Sequence, residues 1–187
     1  MLPQGYKIPT NSGSYMKFQD GANRLHVLGK AIVGWEYWNI EGKPVRSKEV
    51  FNEVPADIRV NKDGTTERIK HFWAFPVWNY SDKKLQVLEI TQSSIQGGMK
   101  IKIDNRRGDV SKFDFIITKT GEGLGTDYDV DVDTHEEIPN EAELKDKAEK
   151  INLEALYKGE DPFKGEGTPD NRIPVTPAEI DDSDIPF

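Results

Sequence analysis

The sequence predicts a mainly β protein: a small five-stranded barrel with one helical insert, then a partly helical and finally disordered acidic tail. Three observations carry this expectation. Five segments between residues 24 and 132 are rich in β-branched and aromatic residues and are separated by Gly, Asn, Asp or Ser turns. One stretch before the fourth of them reads partly as a helix face. Charge then divides the 187-residue chain. Residues 1–130 hold 19 Lys+Arg against 16 Asp+Glu, whereas residues 131–187 hold 6 against 17, so a mildly basic body precedes a strongly acidic C-terminal third.

Taken in order, residues 1–22 are Gly-, Pro-, Ser- and Asn-rich and read as a flexible lead-in, in which only Tyr15–Met16–Lys17–Phe18 has the character to dock. From Arg24 to Trp38 apolar residues recur as in one long strand, with Gly29 and Gly34 as bends. Glu41–Gly42–Lys43–Pro44 forms a turn, and residues 45–66 read as a long polar connection. Arg68 to Tyr80 is a second long strand, in which Pro76 lacks an N–H and belongs at an edge or bulge. Ser81–Asp82–Lys83–Lys84 turns it into the strand Leu85–Ile90. Residues 92–105 are ambiguous: Ser94, Ile95, Met99 and Ile103 fit a helix face, but Gly97–Gly98 weakens it and Ile101–Lys102–Ile103 alternates like a strand. Strands resume at Lys112–Lys119 and Thr126–Val132 around a Gly121–Glu122–Gly123 turn. Asn140–Glu143 resembles a capping box opening a polar helix to about Lys150.

Five strands with a helix before the penultimate one match the oligonucleotide/oligosaccharide-binding (OB) barrel, with a β-sandwich as the alternative. The expected division is a lead-in over 1–22, the barrel over 23–133, a helical extension over 134–158 and a disordered acidic linker with its tip over 159–187.

Composition narrows the classes of function. The absence of cysteine removes disulfides and Cys-based zinc sites and fits a reducing cytoplasm. His26, His71 and His135 show no helical pairing, so neither a metal site nor any cofactor is expected. No run is long and apolar enough to span a membrane, and the N-terminus lacks the order of a secretory signal. The acidic alternation Asp127–Asp133 fails the EF-hand pattern, because Val132 and Ile138 stand where Gly and Glu are required, and reads as a strand with a solvated face. Gly121–Gly125 fits neither a dinucleotide fingerprint nor a phosphate loop, and no nucleophile has a base near it in sequence. An enzyme is therefore not expected.

The aromatic residues carry the positive reading. Trp35, Tyr37 and Trp38 share one strand; Phe72, Trp73, Phe75 and Trp78 share another. Four tryptophans between positions 35 and 78 exceed the needs of so small an interior. Alternation allows about half of these rings to face outward, where flat rings beside cations stack on unpaired bases. The candidate phosphate contacts are Arg46, Lys48 and Lys70, with Lys102, Arg106 and Arg107 as a second basic region. The bland alternative is that each ring is core and each cation solvated.

At the other end, Asp181–Asp182–Ser183–Asp184–Ile185–Pro186–Phe187 resembles the acidic tip of bacterial and phage single-stranded DNA-binding proteins. Ala31–Trp38 with Gly42–Ser47, Phe113–Leu124 and Gly159–Phe163 are similar, in order, to segments of a phage-encoded family of such proteins. The resemblance implies an OB-fold that coats single-stranded DNA (ssDNA) without regard to sequence, in replication, recombination or repair within the host cytoplasm. It also implies a tip in which Asp181, Asp182, Asp184, Ile185, Pro186 and Phe187 engage a basic pocket on a partner protein. The readings to weigh against it are a protein-interaction adaptor and an RNA-binding OB domain. Oligomeric state is not readable from the sequence.

Overall fold

The computed structural model describes residues 13–164; the tip and linker from 165 onward, and residues 1–12, lie outside the described residues. Seven strands and two α-helices follow one another as β1 (Gly21–Val27), β2 (Ile32–Trp38), β3 (Pro44–Ser47), β4 (Lys70–Asn79), β5 (Lys84–Ile90), α1 (Ser93–Asp104), β6 (Phe113–Thr120), β7 (Asp127–Thr134) and α2 (Glu141–Glu149). All seven strands form one antiparallel sheet in the order β3-β2-β4-β1-β6-β7, with β5 on the other edge of β4.

Five strand paths account for six of the seven strands. β1 and β2 lie end to end along one edge of β4, with Val27 opposite Val77 and Ile32 opposite Ala74. Together they are the single long strand that the sequence predicts. The break falls where the chain crosses Pro76: a Cβ on Gly29 would come within 2.7 Å of the proline ring. One short strand was not expected. Residues 44–47, read as the end of a turn and the start of the polar connection over 45–66, pair with β2 as a hairpin around Gly42, whose φ of +71° suits glycine. Pro44 opens this edge strand, a position that needs no N–H in a ladder.

The architecture is mainly β and OB-like, with one correction: the sheet is not closed. Among the described residues no ladder joins β5 to β7. Helix α1 spans that gap instead. Gln96 Nε2 donates to the carbonyls of His71 and Ile90 at 2.9 and 3.0 Å, tying the helix to β4 and β5. On its other side α1 packs against β7 so closely that a Cβ on Gly98 would meet Val130 at 2.8 Å, while Gly97 faces open space. Gly98, one of the two glycines that made this segment ambiguous, thus permits a close helix–strand approach. Ile95 and Met99 complete the helix's buried face.

The interior of the half-barrel is formed by Leu25, Phe75, Val77, Leu88, Ile90, Phe113, Phe115 and Ile117 with Ile95 and Met99. β7 alternates as expected, with exposed aspartates around buried Val130. The lead-in is docked where it was expected to be: Met16 N–H donates to the Val87 carbonyl at 2.9 Å, and Val87 N–H to that of Ser14 at 2.8 Å.

After β7 the chain returns across the outer face of the sheet. His135 sits over His26, and the buried Asp114 carboxylate accepts from Nδ1 of each ring, at 2.9 Å from His26 and 2.8 Å from His135. Burial would raise the Asp114 pKa, but hydrogen bonds from His135, the Glu136 N–H and Arg24 hold it below its ordinary value. Beyond α2, Leu153 and Leu156 cover Phe72, Ala74 and Val87, with Ile151, Tyr157 and Phe163 at the margin. Tyr157 OH donates to the Val33 carbonyl at 2.7 Å. The C-terminal extension therefore seals the outer face of β4 and β5.

Candidate nucleic-acid interface

With the outer face sealed, the opposite face of β2 and β4 is the place to seek a binding surface. Strand pairing puts Trp35 opposite His71 and Val33 opposite Trp73, so these four side chains share one face. Trp35 and His71 meet edge to face at 5.2 Å. The same face continues into an apolar groove of about 280 Å³ lined by Val27, Ala31, Val33, Trp73, Met99 and Ile103, among others. Val33, half exposed at 51%, forms part of its wall. Val110 also lines the groove, and the 3-10 turn that it opens (Val110–Lys112) leads into a second hollow. That hollow, of about 490 Å³, is lined by Arg106, Arg107, Asp109, Lys112 and Phe113. The result is a strip that begins with rings, becomes apolar and ends in cations.

The cationic end is built by the end of α1. Arg107 has φ +57°, in the left-handed region, and Gly108 has φ +79°, so the chain reverses there and leaves both arginines exposed. The Arg106 guanidinium lies 5.0 Å from the Phe113 ring centre. Lys102 pairs with Asp131 at 2.9 Å, and the hydrogen bond from Lys102 holds that carboxyl below its ordinary range. Lys112 pairs loosely with Asp109 at 3.3 Å. Such exposed pairs cost little to break, so a phosphate chain can compete for these cations.

Of the ring candidates, all four tryptophans are half-buried, neither sealed in the core nor fully exposed. Trp35 and Trp73 line the strip. Trp38 and Trp78 point to the other face; Trp38 lies under the Arg59 guanidinium, 5.6 Å from its ring centre. The remaining three rings are corrections. Tyr37 is 5% exposed, packs against Phe51 and donates its hydroxyl to Asp57 at 2.8 Å. Phe72, 1% exposed, is sealed by the C-terminal extension, and Phe75, 3% exposed, belongs to the interior. None of these offers a face to a base.

Arg46 is also corrected. Its side chain is 7% exposed and bonds Glu36 at 2.7 Å and Glu89 at 2.9 Å, above Phe72. Both carboxylates already satisfy it. Lys48 is exposed but pairs with Glu154 of the extension, and Lys70 lies 3.6 Å from Glu67; both are remote in sequence from the basic hollow. The structure brings together Trp35, Trp73, Lys102, Arg106 and Arg107 of the expected set. It adds His71, Val33, Ile103, Lys112 and Phe113, which were missed as members of the strip. The available signal was the position of His71 directly before the aromatic run that starts at Phe72 and Trp73.

No protein-family model matches the chain, and no solved structure matches it. A curated protein of Escherichia phage T5, named a probable ssDNA-binding protein, is 27% identical over 167 residues. The match covers 74% of this chain and 65% of that protein, so the chain spans a little under two thirds of its relative's length. The suspected kinship with phage ssDNA-binding proteins thus has a named counterpart. No helix among the described residues is long and apolar enough to cross a membrane.

Proposed function

We propose that this protein binds single-stranded DNA without regard to sequence, along the strip from Trp35 and His71 through Trp73 to Arg106, Arg107 and Lys112. The similarity to the phage T5 protein supports the substrate. The observation that carries the location is the open face, where half-buried tryptophans lead through an apolar groove to unsealed arginines. An unstacked strand offers two complements, flat base faces and a flexible phosphate chain, and this strip has a match for each. In this reading the protein coats ssDNA in phage replication, recombination or repair within the host cytoplasm, and its role is binding rather than turnover. Asp181–Phe187 recruits replication or recombination proteins that carry a basic pocket.

Tryptophan fluorescence during titration with oligo(dT), repeated across a salt series, tests the proposal. Strong quenching is expected, with a log–log salt slope of about −0.7 per phosphate contacted. No quenching at low salt would overturn it and leave the groove to a protein partner. Preference for oligo(U) over oligo(dT) would overturn the choice of DNA.

A further inference from the structure

His26 and His135 are far apart in sequence, yet their rings lie 3.9 Å apart, tilted by 31°. Beside them His135 Nε2 lies 3.1 Å from Glu141 Oε2. One nitrogen from each ring and one Glu141 oxygen all fall within 4.8 Å of one another. We infer that His26, His135 and Glu141 form a site for one divalent transition-metal ion of the zinc class.

Hydrogen bonding fixes which nitrogens are free. The Asp114 carboxylate can only accept, so each ring must present Nδ1–H to its Oδ1. In neutral rings that leaves both Nε2 atoms with lone pairs. A carboxylate that holds a histidine by the nitrogen not facing the ion is the usual support for an imidazole ligand. Here one carboxylate supports two rings, and it is itself held by Arg24 at 2.8 Å and by the Glu136 N–H at 3.0 Å.

The two free nitrogens are poorly served without a cation. His26 is fully buried, and its Nε2 has no hydrogen-bond partner among the described residues. A buried acceptor left alone is rare and needs a reason. His135 Nε2 faces a carboxylate oxygen, so two acceptors oppose each other unless a proton or a metal lies between them. In a tetrahedral site with bonds of about 2.0–2.1 Å, ligand atoms stand about 3.3 Å apart, close to the spacing of His135 and Glu141. Two imidazoles and a carboxylate suit zinc and its first-row neighbours, and three protein ligands leave a fourth position for water.

The cations nearby do not fill the site. Lys145 takes the other Glu141 oxygen at 2.6 Å, and Arg24 engages Asp114, Asp133 and Glu136. An ion here would bridge β1, the segment after β7 and the start of α2. It would fasten the C-terminal extension to the sheet at its point of departure.

The test uses the full chain, stripped with a chelator and then titrated with Zn²⁺ by calorimetry and with Co²⁺ by visible absorption. Saturable binding of one ion per chain and a tetrahedral Co²⁺ spectrum are expected. H135Q and E141Q should each weaken binding at least tenfold, whereas H71Q should leave it unchanged. Zn²⁺ should raise the melting temperature of the parent protein and not that of E141Q, a substitution at the margin of the fold that keeps a variant available if His26 proves essential for folding. Absence of saturable binding, or equal binding by H135Q and E141Q, would overturn the assignment and leave a proton-bridged His–Asp–Glu cluster. Loss of binding in H71Q would place the ion elsewhere.

Discussion

Phe72 and Trp73 are adjacent on β4 and have opposite fates. Phe72 points to the outer face, where Leu153, Leu156 and Tyr157 close over it and Arg46 lies 5.4 Å from its ring centre. Trp73 points to the other face and lines a groove left open between β2 and α1. One strand thus carries two aromatic surfaces, and the protein's own C-terminal extension has claimed one of them. Aromatic density alone therefore does not mark a binding face. What marks it is the absence of a covering segment among the described residues, and that is decided by residues 151–163, far away in sequence.

The largest expected effects lie on the sealed face. Phe72→Ala removes a fully buried ring from beneath the extension and should cost about 3–5 kcal/mol of folding stability. The affinity of the molecules that remain folded for oligo(dT) should not change. Urea denaturation beside fluorescence titration reads both quantities. A large loss of affinity with little loss of stability would mean that the extension lifts away and Phe72 itself stacks.

Arg46 offers the next largest test. Arg46→Ala strands Glu36 and Glu89 without their cation and should cost about 3–5 kcal/mol of stability, the effect of breaking a buried pair. A phosphate-contact role predicts instead a weakened, flatter salt dependence in a stable protein. The two readings also separate with pH. Burial raises the Glu89 pKa, and Arg46 only partly offsets this. A carboxyl raised in the folded state costs stability above its folded pKa, and the cost fades as pH falls toward the ordinary glutamate value near 4.3. The stability deficit of Arg46→Ala should accordingly shrink on acidification, as measured by thermal melting between pH 7 and pH 4.5.

These cases show where sequence reasoning reached and where it stopped. Strand paths, hairpin turns and the polar helix after residue 140 were legible because they depend on local pattern and turn chemistry. The open seam was not, because α1 fills it through two remote features, Gly98 against Val130 and Gln96 reaching two carbonyls. For the rings, alternation separated Trp73 from Phe72 without saying which face the C-terminal extension would cover. Arg46 resembled a solvated cation because Glu36 and Glu89 become its neighbours only once β3, β2 and β5 are assembled. The pairing of His26 with His135 was invisible for the same reason.

On the open face the expected effects are smaller and fall on binding. Trp73→Ala and Trp35→Ala should each weaken oligo(dT) binding by about 1–3 kcal/mol, the range for losing one base–ring stack. Trp73 also packs against the interior, so its substitution should lower stability as well, whereas Trp35→Ala should spare more of it. Trp78→Ala, on the opposite face, supplies the contrast. If it weakened binding as much as Trp35→Ala, the strand would have to run over the outer face and the strip would be wrong.

Arg106→Gln and Arg107→Gln sharpen the other end of the strip. Each should reduce the magnitude of the salt slope by about 0.7 with a modest loss of affinity at low salt, because each removes one phosphate neutralisation and no stack. A slope that stayed unchanged in the double variant would detach the basic hollow from the groove.

The smallest expected change in DNA affinity comes from deleting residues 181–187. These residues carry three aspartates, Asp181, Asp182 and Asp184, all repelled by the ssDNA backbone. Tethered to the barrel they compete for the same cations as DNA, most strongly at low salt. Their removal should leave affinity unchanged or slightly tighter, with the gain fading as salt rises, while binding to partner proteins is lost. A several-fold weakening on truncation would give the tip a direct part in holding DNA, at odds with its charge.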